Sequence, residues 1–285
     1  MPRARQTAAD RVVRTRLREV VHFPDLTERL ALRLAAVPRY TARSHFGPWL
    51  RIFGRPDFAN LTGIFMPLAY VELETSDLAT TPNAALVVRG ESYLARTQRP
   101  DGGVRHLVRE GRHAVHGSDE TLLASARLVN VFTRYDPDPA RRRVTELPAE
   151  LGGGVPSRLT EVPGLDDLVP AARRPDFEGN GTHVWHYGQT DPNRHVNGVA
   201  YLRVLEAWTA EVLADAGQDV GRIFAQRARI AYRKPCFRGE RYRCVAWMVA
   251  ESPLTVVAAV EKADDPPATP PAVAAELRFG VHDVG

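Results

Sequence analysis

The spacing of apolar positions divides the chain into two halves that repeat one order of elements. Residues 8 to 21 carry apolar positions among arginines and predict a short basic amphipathic helix ended by Pro24. Asp25-Leu-Thr-Glu28 has the form of a capping box and predicts a second helix through about Ala36. Residues 1–36 are therefore expected to form a helical N-terminal extension. From Pro38 the pattern turns extended, punctuated by Gly47-Pro48, Gly54 and Pro56. The apolar run Leu61 to Leu73 suggests a buried helix. Strand-like stretches follow at about 85 to 97, 104 to 115 and 121 to 134, separated by Asp101-Gly102-Gly103 and Gly117-Ser118-Asp119 as turns.

The second half begins with a strand from about Thr182 to Tyr187 and a turn over Asp191 to His195. A helix from about Val196 to Ala216 is apolar nearly all round, through Val199, Ala200, Leu202, Leu205, Trp208, Val212 and Leu213, and so is expected to be buried on most sides. Gly217 stands where a C-terminal cap belongs. Strands are predicted at about 227 to 233, 241 to 250, 254 to 262 and 272 to 282. Between the halves, residues 136–181 are rich in Pro, Gly, Asp and Arg, with Asp136-Pro-Asp-Pro139 and Gly152-Gly-Gly154, and read as a long linker packed over the surface. The triple glycine is linker too, because no strand leads in and no lysine follows.

Strand, buried helix, then several antiparallel strands, occurring twice, is the order of a hotdog fold, in which a curved sheet wraps a central helix. The expectation is an α+β double hotdog forming a fused pseudo-dimer: an N-terminal hotdog at 37–135 and a C-terminal one at 182–285. Asn60-Leu-Thr-Gly63-Ile can be set beside His195-Val-Asn-Gly198-Val as a faint residue-level trace of duplication.

Composition narrows the function classes. The 285 residues suit two domains of modest size. Net charge is +4, and thirty-six of the thirty-eight basic residues are arginine, the lysines being Lys234 and Lys262. A mildly basic surface suits an acidic partner such as a carrier protein or the phosphates of coenzyme A. Nucleic acid is not expected, for want of a zinc finger, an RNA-binding aromatic signature or a long basic tract. Neither a signal peptide nor a membrane span is expected, and the chain reads as soluble and cytoplasmic. Cys236 and Cys244, on one extended segment, lie about 26 Å apart and cannot pair.

The chemistry concentrates in Thr190-Asp-Pro-Asn-Arg-His-Val-Asn-Gly-Val-Ala-Tyr201. Asp191, Asn193 and His195 alternate on an extended approach to the buried helix, which puts all three on one side. The free N–H groups and positive dipole end of the helix face the same spot. Thioester cleavage passes through an oxyanion that such N–H groups can stabilise, one donor being worth about 3 kcal/mol. A carboxylate activates water or attacks directly, and a histidine or amide polarises the carbonyl.

Asp-x-Asn-x-His-Val-Asn-x-x-x-Tyr resembles the signature of hotdog acyl-acyl carrier protein thioesterases and, more loosely, of the 4-hydroxybenzoyl-CoA thioesterase family. Ala231-Tyr-Arg-Lys-Pro-Cys236 resembles the Tyr-Arg-Arg-Glu-Cys segment of the plant-type enzymes, which are single-chain double hotdogs with the working residues in the C-terminal half. The resemblance covers residues 182 to 236. It implies Asp191 as general base or nucleophile, Asn193 as the holder of the water or carboxylate, and His195 as the polarising group. The backbone near Asn197 and Gly198 is the implied oxyanion pocket. The substrate it implies is an acyl thioester on acyl carrier protein or CoA, with no cofactor. Pro235 stands where the plant-type pattern has its glutamate, which leaves room for acyl transfer, including the acyltransferase/decarboxylase type of polyketide pathways.

Other readings of the same residues stand beside these. Asp-Pro-Asn favours an Asx-type turn on its own. Tyr201 is expected in the core or lining the pocket. Glu206 is either a second helix-borne carboxylate or a group satisfied near the dimer seam. Cys236 is a possible nucleophile but more in keeping with a buried thiol. His183 and His186, three apart on a strand, point to opposite faces, so no metal site is expected. Asp57 and Asn60 would mark a lapsed second site, with asparagine where the C-terminal half has His195. A hydratase or dehydratase fits less well, because Asp191 and His195 are four apart and no histidine leads into Gly63-Ile-Phe-Met-Pro67. A non-catalytic acyl-binding protein is the remaining alternative. A fused pair can work as a monomer or as a homodimer.

Overall fold

Arg14, Arg16 and Arg18 alternate with Val13, Thr15 and Leu17, and this period of two wins over the helical spacing in the same stretch. In the computed structural model, which describes residues 8–48, 62–171, 173–191, 194–266 and 268–281, Val12–Val20 is strand β1, preceded by a single 3-10 turn at Ala8–Asp10. The expected helix over 8 to 21 is therefore absent. The arginines lie on the exposed side of the strand, where Arg14 meets Glu91 of the neighbouring strand at 3.1 Å.

The second expected helix, 25 to 36, is also replaced. Thr27 N–H donates to Ala31 O at 2.8 Å, and Leu26 bridges Leu32. Leu30 takes φ 62, a left-handed conformation no helix interior accommodates. Only the 3-10 turn Leu34–Ala36 is helical there, leading into α1, Val37–Phe46. The apolar run predicted as a helix is instead strand β2, Ile64–Phe65, then Met66-Pro67, then β3, Leu68–Thr75. Its apolar character comes from lying in sheets rather than from being wrapped by one. The residue match across the halves fails for the same reason: Gly63, at φ +63, precedes a strand, while Gly198 opens a helix. Asp57 and Asn60 lie outside the described residues.

The remaining strands are β4 (Ala85–Gln98), β5 (Val104–Gly117), β6 (Leu122–Val131), β7 (Thr133–Arg134), β8 (Phe177–Glu178), β9 (His183–Val184), β10 (Ile223–Tyr232), β11 (Arg241–Glu251), β12 (Leu254–Lys262) and β13 (Val273–Val281). The second long helix, α2, is Gly198–Asp215. Two units organise them. The first comprises the described parts of Met1–Pro24, Pro38–Ala69 and Thr80–Val162, and the second those of Asp25–Val37, Tyr70–Ala79 and Pro163–Gly285.

In the first unit β1, β4, β5 and β6 form an antiparallel ladder in that order. Against it α1 presents Ser44 and His45, both fully buried. Past the end of α1 the same sheet face is closed by a cluster of Val13, Leu94, Leu107 and Phe132 with Val144, Leu147 and Leu151 from the inter-half segment. On the opposite face Glu110, its side chain wholly buried, accepts from Arg112 Nε at 2.7 Å and Arg127 Nε at 3.0 Å. These partners hold its carboxyl down at about 2 against the pull of burial. Thr160 donates to the same carboxylate.

In the second unit β3 from Tyr70 on, β10, β13, β12 and β11 run antiparallel in that order, with β8 and β9 on the outer edge of β11. Helix α2 packs on β11, β12 and β13. The sheet row Ala246–Ala258–Ala275–Ile230 is fully buried, and alanines there let a helix with Leu202, Leu205 and Leu213 approach closely. The other face carries Val245, Trp247, Val257 and Ala259, covered by Leu165 and Leu168. The segment expected to be a linker is thus divided: residues up to Val162 pack on the first unit and those from Pro163 on the second.

Candidate active site

The segment expected to carry the chemistry is built by the second unit. Its entry strand β9 pairs Val184 with Arg241 and His183 with Tyr242. Trp185 follows, with no exposure, stacked on Tyr242 at 4.1 Å and edge-on to Tyr201 at 5.1 Å. This aromatic packing anchors the chain before it turns. A 3-10 turn, Tyr187–Gln189, is capped at both atoms: His186 Nδ1 accepts from Gly188 N–H and Gln189 Oε1 accepts from His186 N–H.

Residues 190–196 then close on themselves. Thr190 bridges Val196, and Asp191 N–H donates to His195 O at 2.8 Å. The Asp191 carboxylate accepts from the His195 backbone N–H at 3.1 Å, and Arg194 adopts φ 64. The approach is therefore the turn expected over Asp191 to His195, and the extended alternation expected of the same residues does not hold. Asp-Pro-Asn acts as a turn former, and the carboxylate takes the local backbone donor as an Asx-type residue does. Alternation no longer places Asp191 and His195 on one side; the turn instead ties the Asp191 carboxylate to the His195 backbone, while the imidazole ring meets Phe237. Asn193 lies outside the described residues.

The turn is pinned from two directions. Val196 N–H donates to Cys236 O at 2.9 Å, and Asn197 N–H to Gln189 O at 3.0 Å. His195 bridges Phe237, whose ring stands edge-on to the imidazole at 4.9 Å. Phe237 is in turn held by Glu240, which accepts from its N–H at 2.9 Å and from Lys262 Nζ. Phe237 and the Trp185 box were not picked out by spacing. For Phe237 the available signal was its place in a Pro-Cys-Phe-Arg-Gly turn, whose Gly239 takes φ +89.

The start of α2 is adjacent. Asn197 is its N-cap, and its Oδ1 accepts from Ala200 N–H at 2.9 Å. Its side chain is thus a helix cap and not a free pocket group. Gly198 and Val199 are the first residues of the helix, so their N–H groups have no acceptor one turn back.

The other expected site residues fall away from this point. Tyr201 is only 2% exposed, and its hydroxyl oxygen accepts from Cys236 N–H at 2.8 Å. It is a core group, with its pKa pushed far up by burial. Cys236 is fully buried, and burial raises its thiol pKa, so it is a poor nucleophile. Both cysteines are free. Cys236 sits in the turn before β11, so the single extended segment assumed for the pair does not exist. Glu206 lies eight residues into α2, about 12 Å along the axis from its start. Burial raises its carboxyl pKa, opposed by Arg33 and Arg203. Among the described residues no cluster of three metal-ligating side chains occurs, and no helix is long and apolar enough to cross a membrane.

In sequence, no protein-family model and no curated protein matches the chain. Solved structures do. An acyl-ACP thioesterase from Bacteroides thetaiotaomicron superposes with a TM-score of 0.66 at 14% identity, covering 94% of this chain and 98% of the other. The 12:0-ACP thioesterase of Umbellularia californica superposes with a TM-score of 0.64, also at 14% identity, covering 94% and 97%. The fold is therefore that of the single-chain double-hotdog thioesterase structures, along the whole length of the chain.

Proposed function

We propose that the chain hydrolyses acyl thioesters borne by acyl carrier protein or coenzyme A, with Asp191 as the general base or nucleophile. One observation carries the reading: a turn closed between Asp191 and the His195 backbone lies two residues before the N-cap of the helix that starts at Gly198. The Asn197 cap takes the N–H of Ala200, which leaves those of Gly198 and Val199 as oxyanion donors. His195, steadied by Phe237, polarises the thioester carbonyl. Asn193 positions the water or the carboxylate, the role its motif position implies. The likeness in fold to thioesterases over the full length supports this reading.

Acyl transfer is the second reading, favoured by Pro235. No carboxylate stands there, and the nearby Glu240 is engaged by Phe237 N–H and Lys262. An acceptor other than water then completes the reaction.

The test is thiol release from a panel of acyl-CoA and acyl carrier protein thioesters by the native protein and Asp191→Asn. An asparagine keeps an oxygen for His195 N–H, so the turn and the melting temperature persist while release falls by about 100-fold or more. Equal rates in the two proteins would remove Asp191 from the mechanism. Recovery of the acyl group on an added acceptor, without free acid, selects transfer.

A further inference from the structure

The first unit has a cationic pocket far from any residue of the thioester motif in sequence. The hairpin between β4 and β5 turns through Arg99-Pro-Asp-Gly-Gly-Val-Arg105. Arg99, Asp101 and Arg105 line a cavity of about 360 Å³ together with Pro100 and Arg143. Among the described residues, none of the three arginines forms an ion pair with a carboxylate, while Arg14, Arg43, Arg89, Arg112, Arg173 and Arg243 all do. Three guanidinium groups against Asp101 leave a local charge of about +2.

The backbones that present these arginines are fixed. Arg99 N–H donates to Gly103 O at 2.8 Å, and Gly102 N–H returns to Arg99 O at 3.0 Å. Asp101 accepts from Gly103 N–H at 2.9 Å, and Gln98 Nε2 donates to Gly102 O at 2.9 Å. Arg143 bridges Thr133, and its neighbour Val144 is buried, accepting from Leu107 N–H at 3.1 Å. The cavity is therefore held open by a rigid turn on one side and a core-anchored strap on the other, an arrangement that keeps ordering costs low when a ligand arrives.

His106, next to Arg105, reports on the same field. Its Nδ1 is buried with no hydrogen-bond partner in the structure. Burial, then Arg105, Arg143 and Arg99, push the pKa of its ring down to about 4. Burial is the larger cause, and the three arginines add to it in the same direction.

We propose that Arg99, Arg105 and Arg143 form a binding site for the phosphate groups of a small phosphorylated ligand. Guanidinium forks match phosphate oxygens two at a time, and a doubly charged phosphate matches the local excess. A cavity of this size takes a diphosphate or a phosphate ester more readily than one small anion. The site is independent of the reaction at Asp191.

Calorimetric titration of the full chain with inorganic phosphate, pyrophosphate and adenosine 3′,5′-diphosphate tests this at constant ionic strength. Pyrophosphate is expected to bind at one site, and Arg105→Ala and Arg143→Ala each to weaken it by about tenfold or more. Arg18→Ala, which removes an exposed charge elsewhere, is expected to change it by less than about twofold. Tighter binding of the nucleotide identifies a phosphate ester as the natural source, and equal or tighter binding of the inorganic ions identifies free phosphate. By NMR, the titration midpoint of His106 is expected to rise when pyrophosphate saturates the site, and also in ligand-free Arg143→Ala. Absence of saturable binding of all three probes up to about 10 mM, or an equal effect of Arg18→Ala and Arg143→Ala, overturns the proposal. So does a His106 midpoint that ignores saturating pyrophosphate.

Discussion

The two units set a helix on an antiparallel sheet in opposite chemical styles. In the second, α2 lays leucines on a row of alanines, and its side-chain hydrogen bonds to the sheet and its turns are single ones, such as Cys236 N–H to Tyr201 and Tyr232 to Gly198 O. In the first, α1 puts a chain of hydrogen bonds into the same kind of interface. Asn130 Nδ2 donates to Met66 O, which leaves its Oδ1 to accept from His45 Nε2 at 2.8 Å. His45 Nδ1 must then accept from His113 Nε2, at 3.3 Å, and His113 Nδ1 from the Ser44 hydroxyl, at 3.0 Å. Thr15 completes the row as donor to Ser44. One fixed amide thus sets the tautomer of a neutral His45 and the Nε2 proton of His113, and the row runs in this direction while His113 Nδ1 is unprotonated. Burial and Arg109 hold His113 at about 4 and His45 well below its ordinary value. The lesson is that an apolar interface tolerates variation in detail, whereas a satisfied polar one fails as a whole when one member is lost.

The largest break should come from the sheet side. Gly90 and Gly111 sit mid-strand, where a Cβ would meet Ser44 Oγ at 1.9 Å and His45 Nδ1 at 2.3 Å. Gly111→Val should destabilise the first unit by roughly 3–5 kcal/mol, from overpacking and broken hydrogen bonds together. Urea unfolding should then show the first unit melting ahead of the second.

Acid should act next, weakening the first unit through its buried histidines. A histidine whose folded pKa lies below its unfolded one contributes stability that is complete above about 6.5 and lost as pH falls toward the folded value. For His113 that window runs from 6.5 to about 4 and is worth about 3 kcal/mol. His45 acts in the same direction, and Glu110, held at about 2, keeps its partners throughout this range. Urea midpoints measured between pH 7 and 4 in the native protein and in His113→Gln should differ in slope, the variant losing less on acidification.

A smaller loss is expected from Asn130→Ala, which strands the His45 donor and should cost about 2 kcal/mol in the same unfolding experiment. The matching change in the second unit, Tyr201→Phe, removes only the acceptor for Cys236 N–H and should cost about 1 kcal/mol. Cys236→Ala should cost no more than about 1.5 kcal/mol, and thioester release should survive it, since its thiol is buried.

How much of this was legible in the sequence follows the same division. The second unit was readable from about residue 182 on, where the apolar helix, the four strands after it and the motif before it fall within a few residues of expectation, but not in Asp25–Val37 or Tyr70–Ala79, where expected helices are absent. Its alternations are strong because apolar packing writes itself in periodicity. The first unit was misread where polar residues are interior. Arginines at 14, 16 and 18 hid a strand inside a helical spacing; Gly90, Gly111 and His113 fall in strands that were expected, but their burial against His45 and Ser44 was not foreseen. Mid-strand glycines at 90 and 111 were the available signal, since a strand interior gives glycine no reason of its own. In the candidate site the residue types were legible and the backbone was not: an Asp-Pro-Asn turn and an extended run place the same side chains differently.

Gly90 and Gly111 also constrain how this sequence can change over generations. The bare strand positions, Ser44, His45, His113 and Asn130 form a single inheritable block, because each is tolerable only while the others persist. A descendant that replaces the two polar helix residues by smaller apolar ones relieves only part of the crowding, because a Cβ at either glycine still meets His113 and one at Gly90 also meets Thr15. Substitutions at these six positions should therefore arrive together or not at all, while the alanine row under α2 can drift one position at a time.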